Sequence, residues 1–286
     1  MYNIPVENIH LCLGATQGIS LAISAASRGG VVAVEMPSYG PVSQTARILG
    51  LETVPLSRIP TDEAWRIDRE EWAKILVQVD LLMISPQLNP VGWSYTESDR
   101  KWLVEFCIKH DINVISDEVY SGADRNWKPF FKEGKNFITI SSLTKVHGLG
   151  VVRYGWICAD REIIRYIGRS FHNMEGMMAS PTIRIVEQIK DRLNEPVELI
   201  EQYREENLPI LQESLTRLGI KWTPPPTGVF GAFRIPGVNT MQMIDTIGKE
   251  HDLLAVPGCM FDSGLDEWLR VGSVSYTHLT LPTTYG

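Results

Sequence analysis

A lysine with unusual neighbours is the side chain in this sequence best suited to covalent chemistry. Lys145 lies in the stretch ISSLTKVHGLGVVRYG, residues 140–155, after an apolar segment that ends in Ser141 and Ser142. Its neighbours are small, hydroxylated or β-branched, and three glycines follow it closely. A lysine held in a cavity can form a Schiff base with a carbonyl compound, whereas a lysine on a polar turn is simply solvated. This stretch alone favours the solvated turn, so the choice depends on the rest of the chain.

Polar residues that suit a ligand also follow other predicted strands. The segment GATQG, residues 14–18, opens a helix whose free N–H groups suit a phosphate, although Thr16 as a plain cap is the alternative. Tyr39 in PSY could stack on a planar ring or pack under a loop. Asn89 lies in NPVG, and Asn-Pro followed by Gly is first of all typical of a turn. Asp117 in SDEVY follows apolar residues and needs a partner, which a cationic heterocycle or a helix N-terminus would provide.

An arginine completes this set of polar residues. Arg153 follows Lys145 by eight positions, and the sequence places it in an apolar strand, where a guanidinium needs an anion. A phosphate suits it because the planar guanidinium can bind two oxygens at once. Each residue has an ordinary structural alternative when taken singly. Their joint occurrence at strand ends favours one ligand site at the carboxyl edge of a sheet.

The elements that must position these residues are short strands alternating with amphipathic helices. Helical patterns between the strands include Thr16–Ser27, Val42–Leu49 and Ser98–His110. The alternation predicts an α/β fold with a mostly parallel, doubly wound sheet. Several strands are apolar throughout, as expected when helices cover both faces. The predicted strands are Ile9–Leu13, Val31–Glu35, Thr53–Leu56, Leu81–Ser85, Val114–Asp117, Ile138–Ser141 and Tyr154–Ala159.

The pattern changes after Ser180. Pro181–Leu193 and Glu195–Leu218 predict two long charged helices, and strands are predicted around Val229–Ile235 and Leu254–Val256. We therefore expect a large domain over residues 1–180, then a linker helix and a smaller α+β domain over residues 181–273.

Composition excludes several classes of function. The chain has 286 residues, 44% hydrophobic side chains and a formal net charge of −7, so an enzyme-sized core is expected and a nucleic-acid partner is not. No apolar run is long enough for a membrane helix, and the N-terminus does not resemble a signal peptide. The cysteines are too scattered for a zinc site or a disulfide framework, which favours a cytoplasmic location. They are Cys12, Cys107, Cys158 and Cys259.

The final segment differs from everything before it. Residues 274–286, VSYTHLTLPTTYG, contain four threonines and no charged side chain. The stretch resembles the translation of a sequencing-library adaptor, and we expect it to be non-native. An ordinary C-terminal strand is the alternative, since Thr and Tyr favour strands.

The motifs together resemble a known family. GATQG, PSY, NPVG, SDEVY, SSLTK, RYG and LRVGS occur in an order similar to the fold-type I pyridoxal-phosphate (PLP) enzymes, specifically the class I/II aminotransferases. The resemblance covers nearly all of residues 3–273. It implies a PLP cofactor bound to Lys145 as a Schiff base, and amino transfer between an L-amino acid and a 2-oxo acid. A homodimer is implied as well.

The resemblance also implies a role for each motif residue. Asp117 would pair with the pyridinium nitrogen, while Tyr120 and Asn89 would contact the ring oxygen O3′. Tyr39 would stack on the ring, and Arg270 of LRVGS would bind the substrate α-carboxylate beside Asn89. Phosphate contacts are implied for Ala15, Thr16, Ser142 and Arg153.

Some features depart from the family pattern or leave the reaction open. The commoner NNPTG reads LNPVG here, which keeps the asparagine. Family members usually have a further N-terminal segment before the phosphate turn, so we expect a fragment truncated at both ends, with poor PLP binding and slow turnover. A PLP-dependent lyase or decarboxylase of the same fold would use the same lysine and aspartate. A PLP-binding regulator without enzymatic activity is a further alternative and would need a DNA-binding module upstream.

Overall fold

An eight-stranded sheet forms the larger part of the computed structural model, which describes residues 4–61, 64–251 and 255–272. The spatial order of its strands is β1-β8-β7-β6-β5-β2-β3-β4. The pairs β2–β3, β2–β5, β5–β6 and β6–β7 are parallel, and β1–β8, β7–β8 and β3–β4 are antiparallel. The strands are β1 Ile9–Cys12, β2 Val32–Met36, β3 Thr53–Pro60, β4 Trp65–Ile67, β5 Leu81–Ile84, β6 Asn113–Asp117, β7 Phe137–Ser142 and β8 Gly155–Cys158.

Helices cover both faces of this sheet. Some of them begin at a polar side chain that accepts hydrogen bonds from the first backbone N–H groups of the helix. Asp68 accepts hydrogen bonds from the N–H groups of Glu70 and Glu71, and Thr96 accepts one from Asp99. One face packs on a cluster that includes Ile19 of α1, and the other on a cluster that includes Trp72 of α3. The helices are α1 Ala15–Ala26, α2 Gly40–Ile48, α3 Arg69–Leu76, α4 Glu97–Lys109 and α5 Arg161–Met174.

A smaller α+β unit follows. Two helices, α6 Ser180–Ile189 and α7 Glu195–Arg217, lead to an antiparallel sheet of order β10-β11-β9. Its strands are β9 Phe230–Arg234, β10 Val256–Pro257 and β11 Trp268–Gly272, with α8 Thr240–His251 between β9 and β10. Gly92 contacts this unit so closely that a Cβ there would lie 2.3 Å from the Phe230 carbonyl oxygen. The loop after β5 therefore packs directly against β9.

The mostly parallel α/β sheet predicted from the sequence is confirmed, with β4 as a strand that was not predicted. The predicted strand over 154–159 becomes β8, which runs antiparallel to β7. The connection between Ser142 and Gly155 contains no α-helix, so it cannot form the crossover that a parallel pair requires. The domain limits 1–180 and 181–273 stay a prediction. Leu254 and the segment 274–286 lie outside the described residues.

Membrane insertion by a helix has no support in the part of the chain that the structure describes. None of the helices in those ranges combines the length and the apolar character needed to cross a bilayer.

Candidate active site

Four of the candidate residues lie at the carboxyl ends of neighbouring strands. Tyr39 follows β2, Asn89 follows β5, Asp117 ends β6 and Lys145 follows β7. These strands are adjacent in the order β7-β6-β5-β2. The chain order reverses between β5 and β2, and in open α/β sheets ligands bind at such a reversal. The fold thus gathers residues that lie far apart in the sequence.

Lys145 lies between two aromatic rings rather than in open solvent. Its side chain is half-buried, and its Nζ is 5.8 Å from the centre of the Tyr39 ring and 6.0 Å from that of Tyr120. A primary amine in this position can reach a carbonyl carbon held between the same rings.

Asp117 provides a carboxylate in a poorly solvated position. Its side chain keeps some exposed surface, yet burial raises the pKa of the carboxyl from 3.8 to about 6. The Val119 N–H donates to Oδ1 over 3.3 Å, and the positive charge of Lys145 also favours the ionised form, but neither offsets the desolvation. A ligand that carries a protonated ring nitrogen would stabilise this carboxylate.

The N-terminus of α1 presents backbone N–H groups that could bind an anion. Gly14 precedes the helix with φ 90° and ψ 171°, and no acidic residue lies in the first turn. The first N–H groups of a helix have no partner within it, so those of Ala15 and Thr16 are available. Arg153 closes the turn, because its Nη2 donates to the Leu13 carbonyl oxygen over 2.9 Å.

Arg153 is not inside a strand, so the sequence-based placement was wrong. It is exposed and precedes β8 with a left-handed φ of 53°. This conformation brings its guanidinium against Gly14, where a Cβ would lie 2.8 Å from Nη2. The position depends on a tertiary contact with the α1 turn, which local apolar patterning does not report.

Gly155 holds the parts of this turn together. It pairs with Ser142 in the β7–β8 ladder and with Cys12 in the β1–β8 ladder. A Cβ on Gly155 would lie 2.8 Å from Gly14 Cα and 3.0 Å from the Ser141 carbonyl oxygen. The buried Ser142 therefore reaches the side of the site where the α1 turn and Arg153 lie.

Asn89 and Tyr120 complete the inner wall. Asn89 is only 5% exposed, and its Oδ1 has no hydrogen-bond partner in the structure. An unpaired buried amide oxygen costs free energy unless it gains a hydrogen-bond donor. The buried Tyr120 packs edge to face against Phe230, with ring centres 4.7 Å apart.

Arg270 reaches this wall from the smaller unit. It lies on β11 opposite Ala232, and its Cζ is 4.2 Å from the Phe230 ring centre and 5.8 Å from that of Phe261. Phe230 thus contacts both Arg270 and Tyr120. Arg270 is therefore connected to the inner wall through the Phe230 ring.

Three further ring-bearing side chains make ordinary packing or backbone contacts. Phe233 packs in the core with Leu215 and Leu269, and Trp93 packs in a cluster with Trp65. The His147 ring is 3.0 Å from the Leu193 carbonyl oxygen.

Sequence reasoning missed two contributors. Phe230 belongs to none of the sequence motifs, and its contact with Arg270 depends on the register of β9 and β11. Glu118 was passed over although it lies between Asp117 and Tyr120, and it is completely buried. The only sequence indication was its position in the SDEVY motif, directly after Asp117.

Comparison with known proteins now identifies the family. The sequence model described as aminotransferase class I and II matches residues 2–279. The chain belongs to the class I and II aminotransferase family. The resemblance inferred from the motifs is therefore confirmed.

Its relatives within this family carry several activities. A histidinol-phosphate aminotransferase of Pyrococcus furiosus is 26% identical over 207 residues, which are 71% of this chain and 59% of that protein. An aspartate aminotransferase of Pyrococcus abyssi is 21% identical over 280 residues, 93% of this chain and 72% of that protein. An S-alkyl-thiohydroximate lyase of Arabidopsis thaliana is 28% identical over 196 residues, 68% of this chain and 40% of that protein.

Solved structures support the fold-type I architecture. A PLP-bound putative aminotransferase from Clostridium difficile 630 superposes with a TM-score of 0.87 at 18% identity, covering 96% of this chain and 74% of that one. Cystalysin from Treponema denticola, whose structure contains PLP, gives a TM-score of 0.84 at 14% identity, covering 96% and 74%. At these identities the likeness concerns the fold alone.

Proposed function

We propose that this protein is a PLP-dependent aminotransferase that moves an amino group between an L-amino acid and a 2-oxo acid. The observation that carries the proposal is the position of the Lys145 amine between the Tyr39 and Tyr120 rings. Asp117 on the neighbouring strand end and the anion-binding turn of α1 supply what a phosphorylated pyridine aldehyde would require.

The residues present fit PLP at three points. The phosphate fits the N–H groups of Ala15 and Thr16, with Ser142 and Arg153 beside them. The ring oxygen can accept hydrogen bonds from the Asn89 Nδ2 group and from the Tyr120 hydroxyl. The protonated ring nitrogen fits the Asp117 carboxylate, whose pKa burial raises and which a neighbouring cation would stabilise.

Bound PLP supplies an electron-accepting ring that stabilises negative charge on the substrate Cα. Asp117 would keep a proton on the ring nitrogen, since an adjacent carboxylate favours the cationic form. Lys145 would hold the cofactor through its amine, and once displaced by the substrate amino group, its Nζ would take the proton from Cα. Arg270 would bind the α-carboxylate and thereby fix the orientation of the Cα–H bond.

A lyase of the same fold is the competing proposal, and one comparison supports it. One relative is named an S-alkyl-thiohydroximate lyase. Both reactions begin with the same lysine and aspartate, and they differ in which substrate bond is aligned with the ring electrons.

Incubation of the PLP-loaded protein with single amino acids separates these reactions. A transaminase converts bound PLP to its amine form, seen by absorbance, and releases one 2-oxo acid per site without ammonia. Repeated release of ammonia and pyruvate, or of CO₂, would instead assign a lyase or a decarboxylase. A chain that binds PLP but gives neither result would favour the regulator.

We further propose a homodimer and a cytoplasmic location, in keeping with the family and with the scattered cysteines. Analytical ultracentrifugation of the PLP-loaded protein tests the first proposal. A monomer at micromolar concentration would contradict it.

A further inference from the structure

Glu118 is the buried carboxylate beside Asp117, and its surroundings are entirely neutral donors. Its Oε1 accepts hydrogen bonds from Ser116 Oγ over 3.0 Å, from the Phe130 N–H over 2.9 Å and from Thr139 Oγ1 over 2.8 Å. Its Oε2 accepts one from Trp127 Nε1 over 2.8 Å. The side chain is completely inaccessible to solvent. Burial raises its pKa, and these donors work against that shift.

These bonds join three separate segments of the chain. Ser116 lies on β6, Thr139 on β7, and Trp127 and Phe130 on the loop between those strands. The main chain of Glu118 adds two more links to β7. Its N–H donates to the Ile140 carbonyl oxygen over 2.7 Å, and its carbonyl oxygen accepts from Ser141 Oγ over 3.2 Å.

Successive side chains of an extended strand point to opposite sides. Asp117 at the end of β6 can therefore face the ligand site, while the Glu118 side chain points away from it toward β7 and the loop between β6 and β7. Ser141 stands four residues before Lys145. The Glu118 bonds consequently fix both the strand end that carries Asp117 and the segment that leads to Lys145.

The donor pattern specifies a carboxylate at this position. The Trp127 indole N–H and the Phe130 backbone N–H can only donate, and they point at different oxygens of Glu118. A glutamine of the same size must direct its own NH₂ group at one of them. A donor would then face a donor in a fully buried site, which is unfavourable.

We propose that Glu118 is a positioning residue that sets the placement of Asp117 relative to Lys145 and thereby controls how tightly the cofactor is retained. The inference rests on the proposed PLP-dependent function. It assigns Glu118 no contact with substrate or cofactor, because its effect passes through Asp117 and the β7 end.

The first test uses the chain without added cofactor. In Glu118→Gln, amide hydrogen exchange over residues 116–121 and 139–146, followed by mass spectrometry, should accelerate about tenfold or more. Trp127→Phe removes one donor and leaves the carboxylate, so it should accelerate exchange less. Asp99→Asn is the matched control, since Asp99 is also buried but binds Arg66 and Arg69. Its exchange over the two segments should stay unchanged.

The second test measures the PLP dissociation constant by absorbance titration, on variants that circular dichroism shows to be folded. Glu118→Gln should bind PLP about tenfold more weakly or worse, and Asp99→Asn within about twofold of the unsubstituted chain. If Glu118 acts through Asp117, the double variant Asp117→Asn with Glu118→Gln should bind like Asp117→Asn alone, within about twofold.

Unchanged exchange in Glu118→Gln, or fully multiplicative losses in the double variant, would overturn the inference. If Glu118→Gln does not fold, the exchange and PLP-affinity measurements are made on Trp127→Phe instead. Unchanged exchange and unchanged PLP affinity in Trp127→Phe would count against the inference. If the unsubstituted chain binds no PLP, the proposed function fails. The exchange data then decide separately whether Glu118 fixes the two segments.

Discussion

Asp117 should destabilise the protein while it has no ligand, so its replacement by asparagine should stabilise the chain. Burial raises the pKa of this carboxyl from 3.8 to about 6. A rise of about two pKa units corresponds to about 3 kcal/mol of penalty on the charged form. Because the side chain keeps some exposed surface, a gain of about 2 kcal/mol is the realistic expectation for Asp117→Asn. Asparagine can still accept the hydrogen bond from the Val119 N–H.

The pH dependence gives the sign of the effect. The folded pKa lies above the unfolded value, so the penalty is complete above about pH 6 and disappears below about pH 4. Urea unfolding of the chain without cofactor should therefore show Asp117→Asn to be more stable by about 2 kcal/mol at about pH 7.5 and equally stable at about pH 4.

Added PLP should reverse the order at neutral pH. It should raise the free energy of unfolding of the unsubstituted chain through binding, and raise that of Asp117→Asn far less. Asp266→Asn, at an exposed carboxyl, should change stability by less than about 0.5 kcal/mol at either pH. No stability gain in Asp117→Asn at pH 7.5, or the same gain at both pH values, would refute the reasoning.

Two further substitutions test the phosphate side and the substrate side of the site. Gly155→Ala places a Cβ 2.8 Å from Gly14 Cα and 3.0 Å from the Ser141 carbonyl oxygen. It should lower the free energy of unfolding in urea by about 1–3 kcal/mol and weaken PLP binding. Unchanged PLP affinity would contradict the role given to the α1 turn. Arg270→Lys loses the planar fork that binds a carboxylate, so KM for the amino acid should rise about tenfold or more while the PLP dissociation constant stays the same. A kcat loss with unchanged KM would assign Arg270 a different role.

The sequence predicted the strand ends well because apolar runs and polar terminators are local features. The run before Asp117 was predicted as Val114–Asp117, and β6 is Asn113–Asp117. Because ligand residues in open α/β sheets cluster at strand ends, the predicted strands also indicated which polar side chains would meet. Tyr39, Asn89, Asp117 and Lys145 follow adjacent strands as a result.

Features that depend on contacts between distant segments escaped local reasoning. The left-handed φ of Arg153 accompanies its contact with Gly14, which lies far away in the sequence. The antiparallel direction of β8 follows from its pairing with β1 as well as β7. The partners of Glu118 come from β6, β7 and the loop between them, so no short pattern could identify its surroundings.

The most direct test of the account is to incubate the purified protein with PLP, reduce it with borohydride and map the modified peptide by mass spectrometry. We expect one pyridoxyl group on Lys145 and none at that position in Lys145→Arg, because this amine lies close to both the Tyr39 and the Tyr120 rings after β2 and β6. Labelling spread over surface lysines, with Lys145 no more modified than the others, would contradict the central claim.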